Sequence, residues 1–155
     1  MMDVNKLVDW FRVTNFVDVH QNRAAENLTL VKLMNLLYFA QGVNLAETGR
    51  PLFDEQMVTW KYGALIKSVY TRFDGRNYVA GKIREHDRNN YHEVEKDPEA
   101  GEAVNSVNQA YGGTSASDLM TIIRMQKPWL DANGGQIIDQ RVLGRYFAEH
   151  VMAHG

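Results

Sequence analysis

Leu28–Phe73, LTLVKLMNLLYFAQGVNLAETGRPLFDEQMVTWKYGALIKSVYTRF, joins a nearly all-apolar helical pattern to a Gly-Pro turn and an aromatic-glycine corner. Thr29 is placed to cap a helix on which Leu30, Leu33, Met34, Leu36, Leu37, Phe39, Ala40, Val43 and Ala46 cover most of the circumference. A helix apolar on all sides has to be central. Gly49 offers a left-handed stop, and Pro51 prevents continuation. Leu52 and Phe53 are expected to fold back onto the helix. After Asp54-Glu55-Gln56, the run Met57–Trp60 reads as a short strand. It leads through Tyr62-Gly63 into a second helical pattern at Ile66, Val69, Tyr70 and Phe73. Gly63 is expected to supply a backbone shape that a side chain would forbid.

Working outward, Asp3 is a cap for a first helix over Val4–Val17, with Val4, Leu7, Val8, Trp10 and Phe11 as its apolar stripe. His20–Asn27 is a polar link. A lone strand cannot satisfy its own backbone, so Met57–Trp60 is paired with Val79–Arg84 in a small hairpin. Asp74–Asp97 is rich in Asn, Asp, Arg, His and Gly and reads mainly as a long loop. Asp97-Pro98 restarts helical order, with Ala100, Ala103, Val104, Val107, Ala110 and Tyr111 as a stripe ended by Gly112-Gly113. Ser115 caps a further helix with Leu119, Ile122 and Ile123 inside. That helix is expected to stop before Pro128, with Lys127 leaving the helical region. Asn133-Gly134-Gly135 is a break, and Asp139 caps the last helix, over Val142, Leu143, Tyr146, Phe147 and Val151. The reading is mainly α: residues 1–155 as one compact domain of five to six helices around a central apolar helix, with a small β-hairpin.

At 155 residues and 45% hydrophobic content, one core is the default. The lack of cysteine excludes a disulfide framework and thiolate chemistry and fits a reducing cytoplasm. No secretory or membrane-spanning segment is expected, so the chain reads as cytoplasmic. A net charge of −2 gives no global pull toward nucleic acid. Locally, Lys61, Lys67, Arg72, Arg76, Lys82, Arg84 and Arg88 outnumber Asp74, Glu85 and Asp87, and Glu93–Glu102 reverses the sign.

Catalytic chemistry is thinly represented. His150 and His154 share a helix face but have no third ligand in view, and His86 and His92 lie in the polar stretch; exposed histidines are the expectation. Gly113-Thr114-Ser115-Ala116 lacks the second glycine and the preceding strand of a nucleophile elbow. No phosphate loop occurs, and Glu93 and Glu95 have no apolar surroundings to raise a pKa. No enzyme, metal or cofactor is expected. The aromatics Trp60, Tyr62, Tyr70, Phe73 and Trp129 either complete the core or anchor a partner; burial is favoured for Trp60 and Trp129, exposure for Tyr62.

The order Leu28-Thr29, Lys32-Leu33, Leu36–Gly42, Gly49, Pro51-Leu52-Phe53, Trp60, Tyr62-Gly63, Val69-Tyr70 resembles the Panacea domain family, also called the phage-associated or SocA-like domain. Tyr111-Gly112, Ser115-Ala116, Leu119, Pro128-Trp129, Ile138 and Tyr146-Phe147 follow the order of that family's C-terminal half, so the resemblance covers 28–147. It implies a small, mostly helical protein of bacteria and their phages, typically an antitoxin that neutralises a cognate toxin by direct binding. In one branch it implies an adaptor delivering a toxin to a Clp-type protease. Neither catalytic residues nor a cofactor come with it. Two departures stand out. Ala64-Leu65-Ile66 replaces a proline-containing run, so the following helix is expected to begin earlier, because Ala64 and Leu65 are good helix formers. Ile123-Arg124 replaces the family's Thr-His. Candidate partner-binding residues are Trp60, Lys61, Tyr62, Gly63, Lys67, Arg72, Arg76, Arg124 and Trp129. The competing reading is a DNA-binding regulatory module built on a helix-turn-helix mimic, disfavoured by its long connection.

Overall fold

The computed structural model describes residues 1–22, 24–79 and 81–152. Among the described residues, eight α-helices are laid down in chain order, α1 Val4–Gln21, α2 Leu30–Thr48, α3 Lys67–Arg72, α4 Glu85–Lys96, α5 Pro98–Tyr111, α6 Ala116–Arg124, α7 Lys127–Asp131 and α8 Gln140–Tyr146. Strands β1 Val58–Trp60 and β2 Gly63–Leu65 lie between α2 and α3, and one π-helical turn, Phe147–Val151, continues α8.

The axis of the molecule is α2. Thr29 accepts from the Lys32 amide at its start, and Gly49 ends it at φ 74°. Leu33, Met34, Leu37, Tyr38, Phe39 and Ala40 are wholly buried. α5, α6, α8, the π turn and β2 pack around it. Each large side chain there contributes about 1.5–3 kcal/mol by leaving water. Gly42 is where the π turn comes closest: a Cβ on it would lie 2.6 Å from the Phe147 ring. Phe147 fills that gap and contacts both Tyr38 and Phe39 at ring-centroid distances of 5.7 Å.

Other helix starts follow from short polar side chains, as the sequence predicts. Asp3 caps α1, Asp97 caps α5 ahead of Pro98, Ser115 caps α6 and Asp139 caps α8. α1 runs on to Gln21, past the expected end at Val17.

Four expectations are corrected. Asp74–Asp97 is not mainly loop, because Glu85–Lys96 forms α4. Its buried stripe is Asp87, Asn90 and Val94, a helical spacing written mostly in polar residues and therefore invisible to a hydrophobic pattern. β1 pairs not with Val79–Arg84 but with its immediate neighbour β2, in the register Val58 to Leu65, Thr59 to Ala64 and Trp60 to Gly63. The other edge of β1 is covered by the 136–138 segment: the Thr59 amide donates to the Gln136 carbonyl at 3.1 Å, and Ile138 donates to Met57 at 2.8 Å. Ala64 and Leu65 are strand, so α3 begins at Lys67 and not earlier. Finally, Gln126 is the extended residue after α6, and Lys127 opens α7.

Two sets of buried polar groups join several of these elements. Along α2, three amide side chains hold the backbone of the segment that returns from Gly49. Gln41 accepts from the Leu52 amide at 2.6 Å and donates to the Phe53 carbonyl at 3.0 Å. Asn44 donates to Arg50. Asn35 accepts from the Ala64 amide and donates to the Tyr62 carbonyl, both at 3.0 Å. Irregular backbone can be buried here because these side chains replace water.

In the second set, Asp9 is 1% exposed. Its carboxylate accepts from Arg12 at 2.9 Å, Arg72 at 2.7 Å and Asn90 at 2.8 Å. Arg12 also reaches Asp87 at 3.2 Å and donates to the Val79 carbonyl at 3.0 Å. One charged cluster thus ties α1, α3, α4 and the backbone at Val79 and Lys82. Trp10 adds to the same joint, its indole N–H donating to Glu95 at 2.7 Å and its ring stacking on Tyr91.

Candidate functional site

The hairpin corner is assembled from α2, β1, β2 and the α6–α7 junction. Gly63 sits at φ 113°, and a Cβ on it would lie 2.5 Å from the Asn35 side-chain oxygen. Its carbonyl accepts from the Trp129 indole N–H at 2.8 Å. Gly63 is therefore the point at which the central helix, the hairpin and α7 meet, and it is buried. Trp129 is also buried, and the Arg124 guanidinium lies over it at 5.4 Å from the ring centroid. Arg124 also donates to the Lys61 carbonyl at 3.5 Å, linking the end of α6 to the hairpin tip. Such a planar cation is well suited to stack and to donate at once.

On the outside of this frame, the Lys61 ammonium lies 4.9 Å over the Tyr62 ring. Tyr62 is exposed, as the sequence predicts. Trp60 is half-buried and meets Tyr62 and Tyr70 edge-on, at 5.0 and 5.8 Å. Its indole N–H is enclosed and finds no partner among the described residues.

Not every candidate joins this corner. Lys67 is exposed and borders a shallow cleft with Glu55, Gln56 and Ile137. Arg76 is exposed and pairs weakly with Asp74 at 3.7 Å. Arg72 turns inward to Asp9, so its charge is already engaged. The structure thus brings together Trp60, Lys61, Tyr62, Gly63, Arg124 and Trp129, and separates Lys67, Arg72 and Arg76 from them. Sequence reasoning missed Met125 and Leu130, large apolar side chains exposed beside Arg124 and Trp129. Met125 lies one residue past α6, outside its apolar stripe, and nothing in the sequence marks it as a contact residue.

Elsewhere, a polar cleft of about 560 Å³ lies between the end of α1 and the Gly112–Ala116 link. Lys32 stands in its wall and donates to the Gly112 carbonyl at 2.6 Å; partial burial pushes its ammonium pKa down. Among the described residues, no three His, Cys, Asp or Glu side chains converge in a group able to hold a metal. His150 lies in the π turn, and its sequence partner His154 is outside the described residues. A β-hairpin stands between α2 and α3, and α3 is only six residues long. Among the described residues, no helix is long and apolar enough to cross a membrane.

These features define a class: a mainly helical domain wound about one buried helix, with a small antiparallel hairpin fixed against it by the Asn35 side-chain amide. Within that class, the chain belongs to the family described as Antitoxin SocA-like, Panacea domain, whose model matches residues 33–130. The match begins inside α2 and ends in α7, so it contains the whole hairpin corner. No curated protein and no solved structure gives a significant match.

Proposed function

We propose that this protein is an antitoxin that neutralises a cognate toxin by direct protein contact and carries out no reaction of its own. The observation that carries the reading is membership of the SocA-like antitoxin family over residues 33–130. The contact surface is placed at the hairpin corner, where Lys61, Tyr62 and Arg124 face outward over a rigid base formed by Gly63, Asn35 and Trp129. Rigid presentation matters because an interface gains affinity when its anchors are ordered before binding. Aromatic and arginine side chains are the residue types that most often supply such anchors.

The test is co-expression with the product of the adjacent open reading frame. That product is expected to arrest growth alone and to be harmless when this chain is present, and the two are expected to co-purify. A product that is harmless alone, or still toxic beside this chain, would end the antitoxin reading. Following the toxin's half-life in the same cells separates occlusion from delivery: occlusion leaves it unchanged, whereas an adaptor shortens it only when a Clp-type protease is present.

A further inference from the structure

Resting on the antitoxin reading, the surface chemistry narrows what part of the toxin docks here: we infer that the occupant is an acidic segment of the toxin carrying apolar anchors, seated across the hairpin tip and the α6–α7 junction. The first observation is apolar. Met125 is 73% exposed and Leu130 52%, and they are the chain neighbours of Arg124 and Trp129, which form the stack. Tyr62, 38% exposed, is joined to the same stack through the contact of Arg124 with the Lys61 carbonyl. Methionine, tyrosine and arginine are favoured at the centres of protein interfaces, where a flexible thioether adapts to its partner.

The second observation is electrostatic. In a chain of net charge −2, no acid occurs between Met57 and Phe73, and between Leu119 and Asp131 the only acid is Asp131 itself. Asp131 is already paired with Lys127 at 2.9 Å. Lys61 and Arg124 make no ion pair among the described residues, since Arg124 is held by a carbonyl and a ring, and Lys61 by a ring. An apolar centre with cations on its rim is complementary to an amphipathic segment bearing Asp or Glu beside its anchors. A phosphate backbone would match the cations alone and leave Met125 and Leu130 facing water, so protein is favoured over nucleic acid.

The experiment measures binding of the purified adjacent-frame product to the full chain, alongside growth protection, for the wild type, Met125→Asp, Leu130→Asp and Arg124→Gln. Val17→Asp, at an exposed apolar site on α1, is the control, and circular dichroism verifies folding of every variant. Expected is a loss of about 30-fold or more for Met125→Asp and Leu130→Asp, about tenfold for Arg124→Gln, and none for Val17→Asp. Wild-type binding is expected to weaken as salt is raised from low to physiological strength. Protection by the wild type with undiminished binding in the three variants would overturn the docking site and leave the antitoxin reading standing. Salt-independent binding would overturn the acidic partner. Failure of the wild type to bind or protect would remove the antitoxin reading itself. Salt-sensitive retention of duplex DNA that is lost in Arg124→Gln, with toxin binding unchanged, would reassign the surface to nucleic acid.

Discussion

The buried amides along α2 and the buried charges around Asp9 solve different problems. Along α2, Asn35, Gln41 and Asn44 are neutral, and they satisfy backbone groups of a segment with little regular structure. Around Asp9, charges satisfy one another and bind whole helices together. A neutral amide is cheap to bury once both its ends are bonded. A buried ion pair carries a large desolvation cost, so removing one partner does more harm than the pair does good. The neutral array positions the hairpin corner; the charged one holds α1, α3 and α4 together.

Breaking each region in turn measures the difference. The largest effect is expected from Gly63→Ala, which combines a positive φ with a Cβ driven into Asn35. Strain and overlap together amount to about 4 kcal/mol, read as a shift of the urea midpoint. The hairpin residue Trp60 should report it as a change in near-ultraviolet dichroism. Next is Asp9→Ala, which leaves Arg12 and Arg72 without their shared carboxylate while Asp87 remains beside Arg12. The expected loss is about 3 kcal/mol, with amide exchange accelerated in α4 before α2. Equal exchange in both helices would show that the two regions are one cooperative unit.

Tyr38→Phe is smaller at neutral pH, about 1 kcal/mol for the lost hydrogen bond to Gln126 at 2.7 Å. Its signature is in alkali. Burial holds the Tyr38 phenol neutral well above its ordinary value of 10.0, so the unfolded chain releases that proton first. Stability from this group is complete below pH 10 and is lost as pH rises above it. Tyr91 and Tyr111, also raised by burial, act in the same direction. The variant should therefore show a shallower fall of melting temperature above pH 10, and an unchanged slope would refute the assignment. Smallest is Arg50→Ala. It removes an exposed pair with Glu99, and a change within about 0.5 kcal/mol is expected, in contrast with the buried pairs at Asp9.

Much of the scaffold was readable in advance because it depends on local rules. Caps at Asp3, Thr29, Asp97, Ser115 and Asp139 stand where short polar side chains precede apolar periodicity, and Gly49 stops α2 as a left-handed residue must. α4 was hidden because the surface it faces is Asp9 and Arg12, so its inner stripe is polar. β2 was hidden for a different reason. Ala64 and Leu65 prefer helix, and Asn35, almost thirty residues away, overrides them by taking the Ala64 amide. For the candidate surface, the exposure of Tyr62 was legible from its glycine and lysine neighbours, and the burial of Trp129 from the general tendency of large aromatics to be buried. The inward turn of Arg72 was not, since nothing near it in the chain announces a carboxylate from α1. Met125 and Leu130 escaped because an exposed apolar side chain looks like any other until its neighbours in space are known.

The amides of α2 also act as a measuring rod. Six residues separate Asn35 from Gln41, about 9 Å of helix rise, and that length fixes how far apart Phe53 and Tyr62 are held. Added length in this chain is tolerated only where the rod has no mark. The exposed turn around Asp54 and Gln56 is such an interval, lying between the anchor at Phe53 and the buried Met57. Residues inserted there bulge outward and leave both marks in register, whereas one residue added between Trp60 and Ala64 shifts the hairpin off Asn35.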